Sequence, residues 1–296
     1  AEALNALGGG YLLRNQRERA MDVFRQAARL DPRNPYAAKN LAFAHTLDLS
    51  GAGDLTGALA ELAECAVRFP HEARLFIHQG ELLEAAGLLE EAEEKYRRAL
   101  KADPRNLECY DLLGRLREML GNFGLNDTAA RDTAALLARL EREAQARCAE
   151  ERGGAAARYD RAFAAVAAAR FACKPVRAAA AVDALLRECL RLAEQGNGRE
   201  QSVAVNAALL RAYVLESGGQ RDAAVLVLEH ACEHWPQAAK LWFERGGVAL
   251  RMGEIALAVE AFERGTLAEP QEAYAYHSLR FAFEGFVGTL GVLGRA

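Results

Sequence analysis

Small and large apolar residues recur along both ends of the chain with one fixed spacing. A small residue is followed four positions later by a large one, three positions after that by a second small one, and five positions later by proline. The five sets are Ala20, Phe24, Ala27 and Pro32; Ala58, Leu62, Cys65 and Pro70; Ala92, Tyr96, Ala99 and Pro104; Ala224, Leu228, Ala231 and Pro236; and Ala258, Phe262, Gly265 and Pro270. Such regularity indicates an internal repeat of one structural unit.

The spacing predicts pairs of antiparallel helices. Residues three and four positions apart lie on one face of a helix, so each large residue stands between two small ones that let a neighbouring helix approach. Another small residue precedes four of the prolines by 24 positions and belongs to the preceding helix; these residues are Gly8, Gly80, Ala212 and Gly246. Gly87 and Gly253 separate two amphipathic stretches, where a tight turn needs a permissive residue. We therefore expect an all-α chain without a sheet.

These repeats resemble those of the tetratricopeptide-repeat family. The resemblance is carried in the first repeat by Leu4, Leu7, Gly8, Tyr11, Ala20, Phe24, Ala27 and Pro32, in the third by Phe76, Gly80, Ala92, Tyr96, Ala99 and Pro104, and near the end by Trp242, Gly246, Ala258, Phe262 and Pro270. It covers residues 1–121 and 205–270. The resemblance implies a right-handed superhelical solenoid of about seven antiparallel hairpins plus a C-terminal single helix, fifteen helices in all, with a concave inner surface.

Residues 122–204 depart from the repeat but keep helical periodicity. Three helices are expected there: one from the capping residues at 126–128 to about Glu151, an alanine-rich one over 155–172, and one over 176–195. We expect regular hairpins at 1–121, irregular hairpins continuing the solenoid at 122–204, and regular hairpins with a C-terminal helix at 205–296. Two arrays joined by a hinge are the alternative.

Composition narrows the function classes. The chain is 51% hydrophobic and carries 37 Lys and Arg against 41 Asp and Glu, so it can bury a core but lacks the basic excess that nucleic-acid binding requires. The longest purely apolar run, Ala162–Ala169, is too short to span a membrane. The six cysteines are scattered without zinc-ligand spacing, which favours a reducing compartment and predicts a cytoplasmic location.

No constellation of residues argues for catalysis, so we expect a non-enzymatic protein without a cofactor. His230 and His234 are one helical turn apart and could bind a metal ion, but no third ligand is identifiable nearby in sequence. We therefore expect a structural role for both histidines and no metal.

Gly8 is the small packing residue of its repeat, while Gly9 and Gly10 are extra glycines that predict a frayed first helix.

The groove of the solenoid is where function is expected. Its candidate peptide-binding residues, which project from first helices away from the packing positions, are Lys39, Asn40, Phe43, Arg74, His78, Glu81 and Arg115. In family members that clamp the C-terminal carboxylate of a chaperone, five positions carry Lys, Asn, Asn, Lys and Arg. Here Asn40 matches and Arg74 is a conservative match, whereas Asn5 and Gly9 replace the first two. The resemblance therefore implies an acidic or C-terminal peptide rather than a chaperone tail.

The sequence favours a scaffold or adaptor that binds another protein or peptide in this groove. The alternative is an accessory repeat domain of a larger enzyme or of a secretion or assembly machine, which the start of the chain in phase with the repeat supports. A metal-binding helical protein is a third interpretation. The sequence identifies neither the partner nor the pathway.

A predicted C-terminal helix from about Ala273 to Leu290 carries two apolar stripes. The first (Tyr276, Leu279, Phe283 and Leu290) is expected to pack on the preceding hairpin. The second contains Tyr274, Phe281 and His277, although a terminal helix should be polar on its outer face. We expect this second stripe to be covered, either by self-association through Tyr274 and Phe281 or by chain that continues beyond Ala296.

Overall fold

The computed structural model describes residues 1–47, 55–119, 127–150, 154–174, 176, 179–195, 201–272, 274, 276–280 and 282. These residues form helices and contain no strand. The helices are α1 (Glu2–Leu13), α2 (Arg17–Leu30), α3 (Pro35–Thr46), α4 (Leu55–Arg68), α5 (Ala73–Ala85), α6 (Leu89–Ala102), α7 (Leu107–Met119), α8 (Asp127–Glu150), α9 (Ala155–Phe171), α10 (Ala179–Gln195), α11 (Gln201–Ser217), α12 (Arg221–His234), α13 (Ala239–Met252) and α14 (Ile255–Ala268). Residues 276–280 are also helical, at the position of the predicted fifteenth helix.

The predicted fold class, an all-α solenoid of helix hairpins, is confirmed. In the described part of the chain, no helix has the length and apolarity needed to cross a bilayer.

Consecutive helices pack as hairpins where the repeat is regular. The pairs α1–α2, α5–α6, α11–α12 and α13–α14 are in close contact. Gly87 and Gly253, predicted as turn residues, have φ of 77° and 81°, the left-handed conformation that glycine adopts without strain. Helix α3 begins at Pro35. The Asn34 side chain caps this helix by accepting a hydrogen bond from the Tyr36 main-chain amide.

In the hairpins α1–α2, α5–α6 and α13–α14, one large ring lies against a glycine of the partner helix. A Cβ placed on Gly8 would be 2.2 Å from the Phe24 ring, and the equivalent distance from Gly80 to the Tyr96 ring is 2.3 Å. Phe24 and Tyr96 are fully buried. The glycine is therefore required because any side chain would occupy the space of the ring.

Contacts divide the chain into two compact units. Unit 1 comprises Ala1–Asp103 and Pro236–Ala296, and unit 2 comprises Pro104–Trp235. Unit 1 thus joins the first three hairpins to the last one. These limits differ from the expected divisions after residues 121 and 204, and the choice between one continuous solenoid and two hinged arrays stays a prediction.

Unit 2 is organised around the alanine-rich helix α9. The three helices expected between 122 and 204 are present as α8, α9 and α10. Helix α9 contacts α7, α8, α10 and α11, because its many small side chains let helices approach on several sides. The Asp160 carboxylate of α9, only 5% exposed, is paired with Arg105 at 2.6 Å and with Arg147 at 2.8 Å. These ion pairs supply the partners that a buried carboxylate requires.

In unit 1, a single carboxylate links α2, α3 and α4. Glu61 accepts two hydrogen bonds from the Arg25 guanidinium, at 2.8 and 3.1 Å, and its Oε2 lies 2.9 Å from Nε2 of His45. Burial acts to raise the pKa of Glu61, but the hydrogen bonds from Arg25 and His45 outweigh it, so this pKa lies below its ordinary value. The ionised carboxylate therefore stabilises the folded state.

Glu61→Gln tests this link through the pH dependence of stability. Because the folded pKa is the lower one, the stabilisation by Glu61 is complete above its unfolded pKa and is lost as the pH falls through the folded pKa. Urea denaturation should show a loss of about 1–2 kcal/mol in unfolding free energy near neutral pH, shrinking toward zero in acid. Glu64→Gln, an exposed change on the same helix, is the control and should have little effect. An equal deficit at all pH values would contradict the assignment.

Two glycines of α1 provide a second test of the packing. Gly8→Ala should reduce the unfolding free energy by about 1–3 kcal/mol, because the new methyl group collides with Phe24. Gly10→Ala should raise it by about 0.8–1 kcal/mol, because nothing lies within 4 Å of a Cβ there and alanine favours the helix. Denaturant unfolding of both variants measures the difference; two changes of the same sign would refute the close-approach explanation.

Candidate functional site

The predicted groove residues of unit 1 lie on the first helices of consecutive hairpins. Lys39, Asn40 and Phe43 belong to α3, while Arg74, His78 and Glu81 belong to α5. Arg115 lies exposed on α7 and belongs to unit 2. Unit 1 therefore brings six of the seven residues onto α3 and α5.

The chain's own C-terminal segment contacts this face of α3. The name C-terminal segment is used below for the described residues from 269 to 282. Asn40 is fully buried, and its Nδ2 donates a 2.7 Å hydrogen bond to the main-chain carbonyl of Gln271. The Lys39 ammonium group lies 3.9 Å from the Glu272 carboxylate and 4.2 Å from the centre of the Tyr36 ring. Two residues predicted to bind a ligand thus hold residues 271 and 272 of the same chain.

Three further side chains complete the contact with residues 269–272. The Gln271 side-chain oxygen accepts hydrogen bonds from Nδ2 of Asn34 at 3.2 Å and of Asn5 at 3.4 Å. The Tyr36 hydroxyl donates a hydrogen bond to the Glu269 carboxylate. Burial and this carboxylate raise the pKa of Tyr36 well above its ordinary value, so the phenol stays protonated and remains a donor. An amide, a phenol and an ammonium group therefore recognise a turn that carries two carboxylates.

Phe43 stands at the centre of an aromatic cluster that continues the contact. Its ring centre is 5.7 Å from Tyr274, 5.5 Å from His277 and 5.9 Å from His78. Gly9 accommodates another ring, because a Cβ there would be 2.3 Å from Tyr276. Helix α1 runs unbroken through its three glycines, so the expected fraying is not observed, and Gly9 has a packing role that the sequence analysis missed.

The opposite side of the C-terminal segment packs on the last hairpin. Leu279 and Ala282 share a buried cluster with Ala249 of α13 and Phe262 of α14, and Leu13 of α1 packs against it. Leu279 therefore behaves as predicted for the first stripe, while Phe283 and Leu290 lie outside the described residues. The segment connects the last hairpin to the first.

Burial corrects the expectation that all the candidate residues project away from the packing positions. Asn40 is fully buried and His78 is only 6% exposed. The His78 Nδ1 lies 2.8 Å from a carboxylate oxygen of Glu81, so these two side chains satisfy each other. Arg74, by contrast, is exposed on α5. The physical reason is that the C-terminal segment packs on Asn40 of α3, and the Phe43 ring packs on His78 of α5.

Comparison with protein families identifies the repeat. Two family models, both described as tetratricopeptide repeat, match residues 3–36 and 73–106. These ranges contain the hairpins α1–α2 and α5–α6, including their glycine–ring contacts. As predicted, the chain carries tetratricopeptide repeats. No relative was found among curated protein sequences.

Several solved structures are similar to this chain at low sequence identity. Yeast Tom70 is 13% identical, with a TM-score of 0.39, and the alignment covers 93% of this chain and 60% of Tom70. TTC0263, a tetratricopeptide-repeat protein of Thermus thermophilus, is 19% identical with a TM-score of 0.40, over 71% of this chain and 98% of its own. A tetratricopeptide repeat protein from Parabacteroides merdae is 17% identical with a TM-score of 0.35, over 95% and 98% of the two chains.

The second apolar stripe of the C-terminal segment is in contact with other residues of the same chain. Tyr274, 40% exposed, contacts Phe43 and also the Phe243 ring, whose centre is 6.3 Å away. Phe281 lies outside the described residues. Intramolecular contacts thus cover part of this stripe, and self-association through Tyr274 and Phe281 stays a prediction.

Asn40→Ala tests whether the Asn40 hydrogen bond keeps the C-terminal segment packed on α3. Removing the buried donor leaves the Gln271 carbonyl without this hydrogen bond, which should cost about 1–2 kcal/mol and increase the local opening of residues 269–282 about tenfold. Hydrogen–deuterium exchange measured by mass spectrometry should show faster uptake there and unchanged uptake in α10. Gln26→Ala, which changes an exposed amide on α2, is the control. Uptake equal to that of the wild type would show that Asn40 does not retain the segment.

Proposed function

We propose that this tetratricopeptide-repeat protein is a scaffold that binds an acidic peptide of a partner protein along α3 and α5. Repeats of this kind generally serve protein interaction rather than catalysis. The binding surface of the proposal comprises Lys39, Asn40, Phe43, Arg74, His78 and Glu81, all in unit 1. Arg115, in unit 2, is outside it. A cytoplasmic location is part of the proposal.

The observation that carries the proposal is the recognition of residues 269–272 by this same surface. Asn40 donates to a main-chain carbonyl, and Tyr36 and Lys39 contact carboxylates. A buried amide that binds a main-chain carbonyl is selective for a peptide without depending on its side chain. Cationic and phenolic donors beside it favour carboxylates. The surface therefore has the chemistry that an acidic peptide from another protein requires.

Arg74 adds a guanidinium group to this chemistry. It is exposed on α5, one turn from His78. A partner peptide can use this face in two ways. It either binds beside the segment, with Arg74 as its main contact, or displaces residues 269–272 and takes their place on Lys39 and Asn40.

Selection from a random peptide library against the purified chain tests the proposal. The enriched peptides should carry Asp, Glu or a free C-terminal carboxylate, and Arg74→Glu should weaken their binding about tenfold or more, since a charge-assisted contact is replaced by repulsion. Arg68→Glu, the same charge change on the exposed side of α4, should leave affinity nearly unchanged. Enrichment of basic or purely apolar peptides, or equal losses in both variants, would refute binding at this face.

Gln271→Ala then separates the two modes of binding. This change removes the acceptor that Asn5 and Asn34 share and so loosens the C-terminal segment. If the peptide displaces residues 269–272, its affinity should rise in the variant, because less competition remains. If it binds beside them, the affinity should stay unchanged. Calorimetric titration of one selected peptide distinguishes the cases.

A further inference from the structure

Unit 2 brings three metal-ligating side chains together from two helices. Within the described residues, one group of histidine, cysteine and carboxylate side chains places three ligand atoms within 4.8 Å of one another, and its members are Glu194, His230 and His234. The two histidines follow each other by one turn on α12, with ring centres 4.4 Å apart. Glu194 comes from the C-terminal turn of α10, and its Oε1 is 3.8 Å from Nδ1 of His230. The third ligand that sequence reasoning lacked is therefore supplied by the fold.

A hydrogen bond orients one of the imidazoles. Nδ1 of His234 lies 3.1 Å from the main-chain carbonyl oxygen of His230. A carbonyl oxygen only accepts, so Nδ1 carries the proton and Nε2 carries the lone pair. This is the common arrangement of metal-binding histidines, in which a carbonyl fixes the tautomer through the nitrogen that does not bind the metal.

The arginines around the group pair with carboxylates other than Glu194. A shallow cleft beside His230 is also lined by Arg187, Arg191 and Arg211. Arg211 and Arg187 contact Asp183 at 2.7 and 3.1 Å, and Arg191 contacts Glu188 at 2.6 Å. Glu194 contacts the histidine instead, so its charge is available to a metal ion.

We propose that Glu194, His230 and His234 form a zinc site. Imidazole is a borderline ligand and carboxylate is a hard one, and both suit Zn²⁺. Three protein ligands leave the fourth tetrahedral position for water. All three side chains are at the surface, so they can turn to shorten the present separations to those of a coordinated ion. Bound Zn²⁺ would tie the end of α10 to α12 and stabilise unit 2.

Titration of the metal-free chain with Zn²⁺, followed by calorimetry, tests the proposal. One ion per chain should bind, and Zn²⁺ should raise the thermal unfolding midpoint of the wild type. His230→Ala and His234→Ala should each abolish saturable binding. Glu194→Gln should weaken it about tenfold or more and reduce the midpoint shift. Because the histidines are exposed, these variants keep the fold, which circular dichroism checks.

Matched controls locate the site. Glu233→Gln, an exposed carboxylate beside His234, and His71→Ala, an exposed histidine of unit 1, should leave zinc affinity unchanged. Trp235, whose ring centre is 5.7 Å from that of His234, provides a local signal: Cu²⁺ should quench its fluorescence, and Trp235→Phe should remove that quenching. Absence of saturable zinc binding would overturn the proposal. So would a Glu194→Gln affinity equal to that of the wild type, which would leave only the histidine pair.

Discussion

A helix hairpin has two apolar sides, and the structure of unit 1 follows from this constraint. One side is buried inside the hairpin, where Phe24 or Tyr96 presses against a glycine. The other side must be covered by a neighbour. For the first hairpin, one neighbour is α3. Another is the C-terminal segment, which fits Tyr276 against Gly9 and shares a core with α13 and α14. The first and last hairpins thereby belong to one compact unit.

The same contact involves two of the predicted binding residues. Lys39 and Asn40, which the sequence assigned to a ligand, hold residues 271 and 272. An acidic or C-terminal peptide was expected there from the sequence, and it was not foreseen that the chain itself supplies a carbonyl and a carboxylate. The buried Asn40 amide already has a hydrogen-bond partner within the chain. Under the proposed function, a peptide that displaces residues 269–272 competes with this internal partner.

Sequence reasoning succeeded where the interactions are local. The spacing of Ala20, Phe24 and Ala27 encodes a helix face, and Gly87 encodes a turn, so the hairpins and the middle helices α8 to α10 were predicted nearly to their ends. It failed where residues distant in sequence meet. Nothing in the residues around Gly9 identifies Tyr276 as its neighbour. Likewise, nothing around His230 points to Glu194, because the approach of α10 to this part of α12 depends on the packing of helices in unit 2.

The hydrogen bond between Asn5 and Gln271 joins residues 266 positions apart. Contacts of such length make folding slow, because the entropy of closing a long loop is lost before native contacts compensate for it. During synthesis, α1 and α3 emerge from the ribosome long before their covering segment is made. Their inner faces, with Phe43 at the centre, therefore stay open to chaperones and to other nascent chains until residues around 280 have been translated. The order of synthesis thus makes the amino-terminal hairpins the part of unit 1 that is most exposed to misassembly.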